Sequence, residues 1–240
     1  MRMSIAAAII AASAATAACG QHHGDAGPAV SRNYQVGNFQ EITVAGPYDV
    51  NVRTGANPGV SAQGPQDVLN NVVVEVKGDK LLIHPQHQGL FSWSWGSRGR
   101  TLFTVTVPQL QAANLAGSGD LNVDVVKGDN FEAKLAGSGD LGLGSVNVQS
   151  LTLSMVGAGD AKIGSGQART AAYKLMGSGD IDATGVITQD LTVSIAGSGD
   201  VRAHATGTAD VTIRGSGDVD VSGGAKCSVS KAGSGDVRCS

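Results

Sequence analysis

The 240-residue chain is poor in charge and in aromatic rings. Asp, Glu, Lys and Arg make up 15% of it and Phe, Trp and Tyr 4%, where roughly 25% charged is usual. Its 17 basic and 20 acidic residues leave a net charge of −3. Without a basic surplus to meet a phosphate backbone, nucleic acid is excluded as a partner. Scarce charge does not mean disorder, because the 41% of apolar residues is enough to build a core. Glu occurs only as Glu41, Glu75 and Glu132, and His only as His22, His23, His84, His87 and His204. No HExxH, nucleophile elbow or P-loop is present, so no catalytic set emerges and no cofactor is implied. No stretch is long and apolar enough to read as a transmembrane helix.

The apolar run nearest the N-terminus is short. Met1-Arg2-Met3 precedes an alanine-rich segment ending at Ala18, the pattern of an export signal over residues 1–18. Two cleavage modes fit it. Ala15-Thr16-Ala17 is an A-x-A site, whereas Thr16-Ala17-Ala18-Cys19 is similar to a bacterial lipobox, with Thr16 where Leu is usual. On the second reading Cys19 carries a lipid and anchors the protein to a membrane; on the first the protein is secreted or periplasmic. Lipidation of Cys19 leaves Cys227 and Cys239 as an even pair in a compartment where disulfides persist. Residues 19–32 are polar and read as a tether.

What the chain has in excess is glycine, 35 residues, and its placement is periodic. Gly-x-Gly-Asp begins at Gly117, Gly137, Gly157, Gly177, Gly197, Gly215 and Gly233, at intervals of 20, 20, 20, 20, 18 and 18. Apolar residues occupy the first and third places after each Asp (Leu121/Val123 to Val237/Cys239) and the second and fourth before each motif (Leu115/Ala113 to Ile213/Val211, with Lys231/Val229 last). Period two on both flanks predicts strands with one buried and one solvated face. Each repeat is then strand, glycine turn, strand and a variable second turn such as Lys127-Gly128-Asp129-Asn130. A two-strand unit cannot bury its apolar face alone, so the units stack.

The expected fold is all-β, a parallel β-helix or β-solenoid of ~20-residue coils ~4.8 Å apart. Successive antiparallel hairpins in a meander or sandwich are the alternative, although they do not require so regular a spacing. The step from 20 to 18 residues is even, which keeps every later side chain on its own face. Cys227 and Cys239 fall in columns that are apolar in earlier coils and face each other across the last one. A disulfide between them requires Cα atoms ~4.4–6.8 Å apart, so that coil must pinch. Lys231 breaks its apolar column and suits a polar end cap.

Residues 33–116 form a less regular, β-rich N-terminal part continuous with the solenoid of 117–240. Phe39 to Val44 alternates, and Ala45-Gly46-Pro47-Tyr48-Asp49-Val50-Asn51-Val52 echoes Ala116 to Val123, as a degenerate first coil would. Val72 to Val76, a turn at Lys77-Gly78-Asp79 and Lys80 to His84 read as a hairpin. Leu102 to Val107 is a further strand, closed by Pro108. Together with Val105-Thr106-Val107-Pro108-Gln109-Leu110 and the GSGD ladder, these segments resemble the putative auto-transporter adhesin, head GIN domain family over residues 33–240. The resemblance implies an exported, β-helical, often lipid-anchored protein.

Three features are candidates for function. The motif aspartates Asp120, Asp140, Asp160, Asp180, Asp200, Asp218 and Asp236 form a column in which neighbours ~4.8 Å apart in water repel by about 0.9 kcal/mol. Hydrogen bonds to turn N–H groups or Ser hydroxyls offset this, or a row of Ca²⁺ ions does. The segment 84–100 holds both tryptophans. Its alternating Phe91, Trp93 and Trp95 either cover the solenoid or form an exposed platform for a glycan or a surface-protein partner. His84 and His87 lack an evident third metal ligand. Gly137 to Gly142 matches GxGxxG, but the repeat accounts for it and no helix follows.

The reading is an exported, lipid-anchored solenoid with a structural or adhesin-like role at the cell envelope. Its competitors are a carbohydrate-active enzyme on the same scaffold, disfavoured by short loops and few Glu, and a Ca²⁺-dependent binding module.

Overall fold

The computed structural model describes residues 28–86 and 99–240. The signal segment, Cys19, most of the tether, His87, Phe91, Trp93 and Trp95 lie outside the described residues.

The expected parallel β-solenoid is present. Its body is five long strands, β9 (Leu121–Gly137), β10 (Leu141–Gly157), β11 (Ala161–Gly177), β12 (Ile181–Gly197) and β13 (Val201–Gly215). Each pairs in parallel with the next, in the register the motif spacing dictates: Leu121↔Leu141↔Ala161↔Ile181↔Val201 and Gly137↔Gly157↔Gly177↔Gly197↔Gly215. All six prolines precede Gln109, so none removes an N–H from this ladder.

The second turn of each coil is a bend within one continuous strand. In β10 the buried residues run Leu141, Leu143, then Val146, Val148, then Leu151, Leu153, Met155. Alternation slips by one residue at Gly144-Ser145 and again at Gln149-Ser150. At each slip the chain turns a corner and keeps its apolar side chains inward. The shortened coil loses its two residues on the middle side: Ala183↔Ala203 and Leu191↔Ala209 stay paired, with register shifts between them. Aliphatic columns such as Leu115, Leu135, Met155, Leu175, Ile195 and Ile213 fill the interior, with Tyr173 the bulkiest fully buried side chain.

The echo around Tyr48 is a real coil. β2 (Glu41–Gly46) and β3 (Asp49–Thr54) stack on β8 (Ala112–Gly117) and on β9, with Gly46↔Gly117 and Val50↔Leu121. It is not the outermost coil. β6 (Lys80–Pro85) and β7 (Leu102–Val107), later in sequence, pair in parallel with the outer edges of β2 and β3. Antiparallel strands close that end. β5 (Val72–Lys77) pairs with β6, β4 (Gly59–Pro65) with β7, and β1 (Ala29–Tyr34) with β4. α1 (Gln66–Asn70) joins β4 to β5 and buries Leu69. Together these elements cover a parallel edge that would otherwise invite pairing with another chain.

β1 begins within the segment expected to be a tether. Ala29–Tyr34 is a paired strand, and Arg32 Nη1 donates to the Leu69 carbonyl at 2.7 Å. Val30 and Tyr34, on the half-buried face of β1, pack against the core.

At the far end, β14 (Val219–Ser222), β15 (Lys226–Gly233) and β16 (Val237–Cys239) form the last coil and a half. Cys227 and Cys239 are joined by a disulfide with Cα atoms 6.6 Å apart, the pinch expected of that coil. Lys231 Nζ donates to the Gly235 carbonyl at 3.1 Å and lies 3.5 Å from Asp236 Oδ1, so the misfit of the apolar column ties down the end coil.

Candidate functional site

The GSGD corner is built by exclusion of Cβ. The first glycine of each motif has φ between +134° and +153°, a region that L side chains avoid. The second has ordinary φ but no room: a Cβ on Gly139 would strike the Gly119 carbonyl, and one on Gly159 the Gly139 carbonyl. Consecutive corners thus lie backbone on backbone. Ser138 N–H donates to the Gly117 carbonyl at 3.0 Å, and Ala158, Ser178, Ser198, Ser216 and Ser234 repeat the contact on their own preceding coils.

This packing arranges the aspartates. The Asp140 N–H donates to Asp120 Oδ1 at 3.2 Å, Asp160 to Asp140 at 3.0 Å, Asp180 to Asp160 at 2.9 Å and Asp200 to Asp180 at 2.9 Å. Asp218 and Asp236 continue the chain at 2.8 Å each. Each carboxylate from Asp120 to Asp218 therefore accepts the backbone N–H of the next coil, and that contact offsets repulsion along the column. Asp49 begins the series, accepting from Asp120 N–H at 3.2 Å. Sequence reasoning left it out of the column, although its echo of Asp120 was visible. Above Asp49 the next group is a cation: Arg100 Nη2 and Nε lie 2.8 and 2.9 Å from Asp49 Oδ2.

One residue pair beyond the corner, a second outward column carries alternating charge: Lys162, Asp182, Arg202, Asp220 and Arg238. The Thr184 hydroxyl, 2.7 Å away, holds the Asp182 carboxyl below the usual carboxylate range, with Lys162 and Arg202 adding to the effect. Among the described residues no group of three or more His, Cys, Asp and Glu is placed to hold a metal. His84 is engaged with Glu75, Nε2 to Oε1 at 3.4 Å, and Lys77 pairs with the same carboxylate at 2.6 Å. Gly137 to Gly142 crosses from corner into strand β10, so the GxGxxG match has no helix N-terminus behind it.

In the coil made by β6 and β7 the corner itself is replaced. The chain leaves β6 at Pro85 and re-enters β7 at Leu102, and these strands flank the place that GPYD and GSGD occupy in later coils. The Gln86 N–H donates to the Asn71 carbonyl at 2.8 Å, and Arg100 holds Asp49. Both roots of the aromatic segment are therefore held, one on Asn71 and the other on Asp49 of the aspartate column.

Residues 38–225 match the family model described as "Putative auto-transporter adhesin, head GIN domain". The chain belongs to this family. Solved structures share this fold. A putative adhesin from Bacteroides fragilis superposes with a TM-score of 0.79 at 24% identity, covering 89% of this chain and 97% of that one. A putative lipid binding protein from Parabacteroides distasonis gives 0.69 at 23%, over 91% and 98%. A putative adhesin from Parabacteroides merdae gives 0.62 at 19%, over 90% and 98%. At these identities the likeness is one of fold. No curated protein matches the sequence. Among the described residues, no helix of this GIN domain is long and apolar enough to cross a membrane.

Proposed function

We propose that this GIN-domain protein is an exported, lipid-anchored, non-enzymatic adhesin of the bacterial cell envelope. Residues 1–18 direct export, Cys19 carries the lipid, and the tether ending before Ala29 spaces a rigid solenoid from the membrane. The aromatic segment with Phe91, Trp93 and Trp95 supplies a contact for a glycan or a surface protein. The observation that carries this reading is the family match over residues 38–225, on a rod whose charged column is spent on its own backbone. Both fixed roots of the aromatic segment support its role, because a contact on a held base loses less entropy on binding.

The anchor is tested by intact mass spectrometry of the membrane fraction. A diacylglycerol-sized increment on wild type, lost with release to the soluble fraction in Cys19→Ser, is the expected result. An unmodified protein beginning at Ala18 or Cys19 rejects lipidation. The binding role is tested with beads coated in the purified domain. They should adhere to mucin-coated or cell surfaces, and Trp93→Ala/Trp95→Ala beads should adhere less. Wild-type beads that adhere to none of these surfaces reject the role.

A further inference from the structure

A groove of about 400 Å³ runs along the solenoid on the middle side of the coils, away from the aspartate corner. Its floor is the register column Gly128, Val148, Ala168 and Thr188, one residue from each of four successive coils. One bank is Asn147, Gln167 and Ile187; the other is Gln149, Arg169 and Gln189. A hydrogen bond marks each end. Gln109 Nε2 donates to the Lys127 carbonyl at 2.9 Å beside Gly128. At the other end the coil shortens by two residues, and the Thr206 hydroxyl donates to the Thr188 carbonyl at 3.2 Å. Thr188 is only 1% exposed, and its hydroxyl has no hydrogen-bond partner among the described residues.

The chemistry of the banks narrows the occupant. Asn147, Gln149, Gln167 and Gln189 each offer two N–H donors and a carbonyl acceptor, the complement of a row of hydroxyls that both donate and accept. Arg169 is the one cation on the banks, too little charge to hold a polyphosphate backbone. An extended peptide needs a free sheet edge or pockets for alternate side chains, but β9 to β12 are paired on both sides. Ile187, 55% exposed, places an apolar surface in line with the amides, as the C–H face of a sugar ring requires. Four coils span three steps of ~4.8 Å, about 14 Å, which accommodates a short run of sugar rings.

We propose that this groove binds a glycan chain laid along the solenoid axis, gripped by Gln149, Arg169 and Gln189 on one bank and by Asn147 and Gln167 on the other. The inference deepens the adhesin role and rests on it. The groove's residues are none of those of the aromatic segment.

The test uses the full chain with three hexasaccharide probes: neutral, N-acetylated and uronic-acid-containing. Calorimetry should show binding of at least one probe, weakened tenfold or more in Gln149→Ala/Arg169→Ala/Gln189→Ala, whose solvent-facing changes should leave the melting temperature in place. Arg169→Gln, a milder variant, should weaken the uronic-acid probe most. In wild type, the side-chain amide resonances of Asn147, Gln149, Gln167 and Gln189 should shift on titration. Affinity unchanged in the groove variants, or shifts confined to other residues, overturns the proposal. So does a groove that takes an extended peptide and none of the saccharides. If binding falls only in Trp93→Ala/Trp95→Ala, the groove is rejected and the adhesin role stands. Beads that adhere while no probe binds likewise reject the groove and leave the adhesin role standing. Beads that fail to adhere reject the adhesin role itself.

Discussion

The Arg100 guanidinium grips the Asp49 carboxylate through two nitrogens, Nη2 at 2.8 Å and Nε at 2.9 Å from Oδ2. It closes one end of a column in which the carboxylates from Asp120 to Asp218 each accept a backbone N–H from the next coil, and Lys231 lies 3.5 Å from the last, Asp236. Arg100 is 84% exposed while Asp49 is 18% exposed, so water screens most of the attraction. Arg100→Ala should cost less than ~1 kcal/mol, and less again in high salt. Asp49→Ala should cost more, because it also deprives the Asp120 N–H of its acceptor. Urea melts of both variants at low and high salt check the pair.

Within the column, acceptor and charge separate cleanly. Asp160→Asn keeps an oxygen for the Asp180 N–H and removes repulsion from Asp140 and Asp180, so its melting temperature should equal or exceed that of wild type. Asp160→Ala loses the 2.9 Å bond and should cost about 1 kcal/mol. Equal destabilisation by Asn and Ala in thermal melts would show that the charge, not the hydrogen bond, holds the corner.

Gly139→Ala places a methyl against the Gly119 carbonyl, a backbone atom that cannot swing aside. It should destabilise by ~3 kcal/mol or more or prevent folding. Gly37→Ala meets nothing within 4 Å and should be near neutral. Denaturant midpoints of the two variants give the comparison.

The Cys227–Cys239 bridge closes a short loop at the open end of the solenoid. Replacing both residues by Ser should cost ~2–3 kcal/mol by restoring freedom to the unfolded chain. The loss should be local. Amide exchange should rise first in β14, β15 and β16 and leave β9 to β12 protected.

Alkaline pH is a further lever. Burial pushes the Tyr48 hydroxyl up to about 12 and raises Tyr173 as well. A pKa raised in the folded state means the native form holds the proton more tightly. The associated stability is therefore complete below about pH 10, the ordinary tyrosine value, and is lost as pH rises toward 12. Tyr48→Phe keeps the ring, which packs edge-on to Phe103 with centroids 5.7 Å apart. It should flatten the fall in melting temperature between pH 10 and 12.

The solenoid was legible in the residues because each coil repeats the same steric demand. Two glycines at a fixed interval from alternating apolar flanks set the strand direction, the register and the buried face, and Leu141 meets Leu121 as the spacing requires. The Cys227–Cys239 pairing followed from the same columns. The amide groove was not legible. Asn147, Gln149 and Gln167 are outward residues of the middle side, and only the stacking of successive coils lines them up as two banks along the solenoid. Asp49 stood in plain echo of Asp120, yet its GPYD corner hid its membership of the column.

The sequence by itself determined a parallel stack of glycine corners, since backbone meeting backbone at Gly119, Gly139 and Gly159 admits no other residue. Only the tertiary structure decided the order of the first coils. β6 and β7 slide outside β2 and β3, and β1, β4, β5 and α1 then fold over the exposed edge. Those contacts join segments far apart in sequence with no repeat to fix their register, so packing and backbone pairing, rather than local pattern, select them.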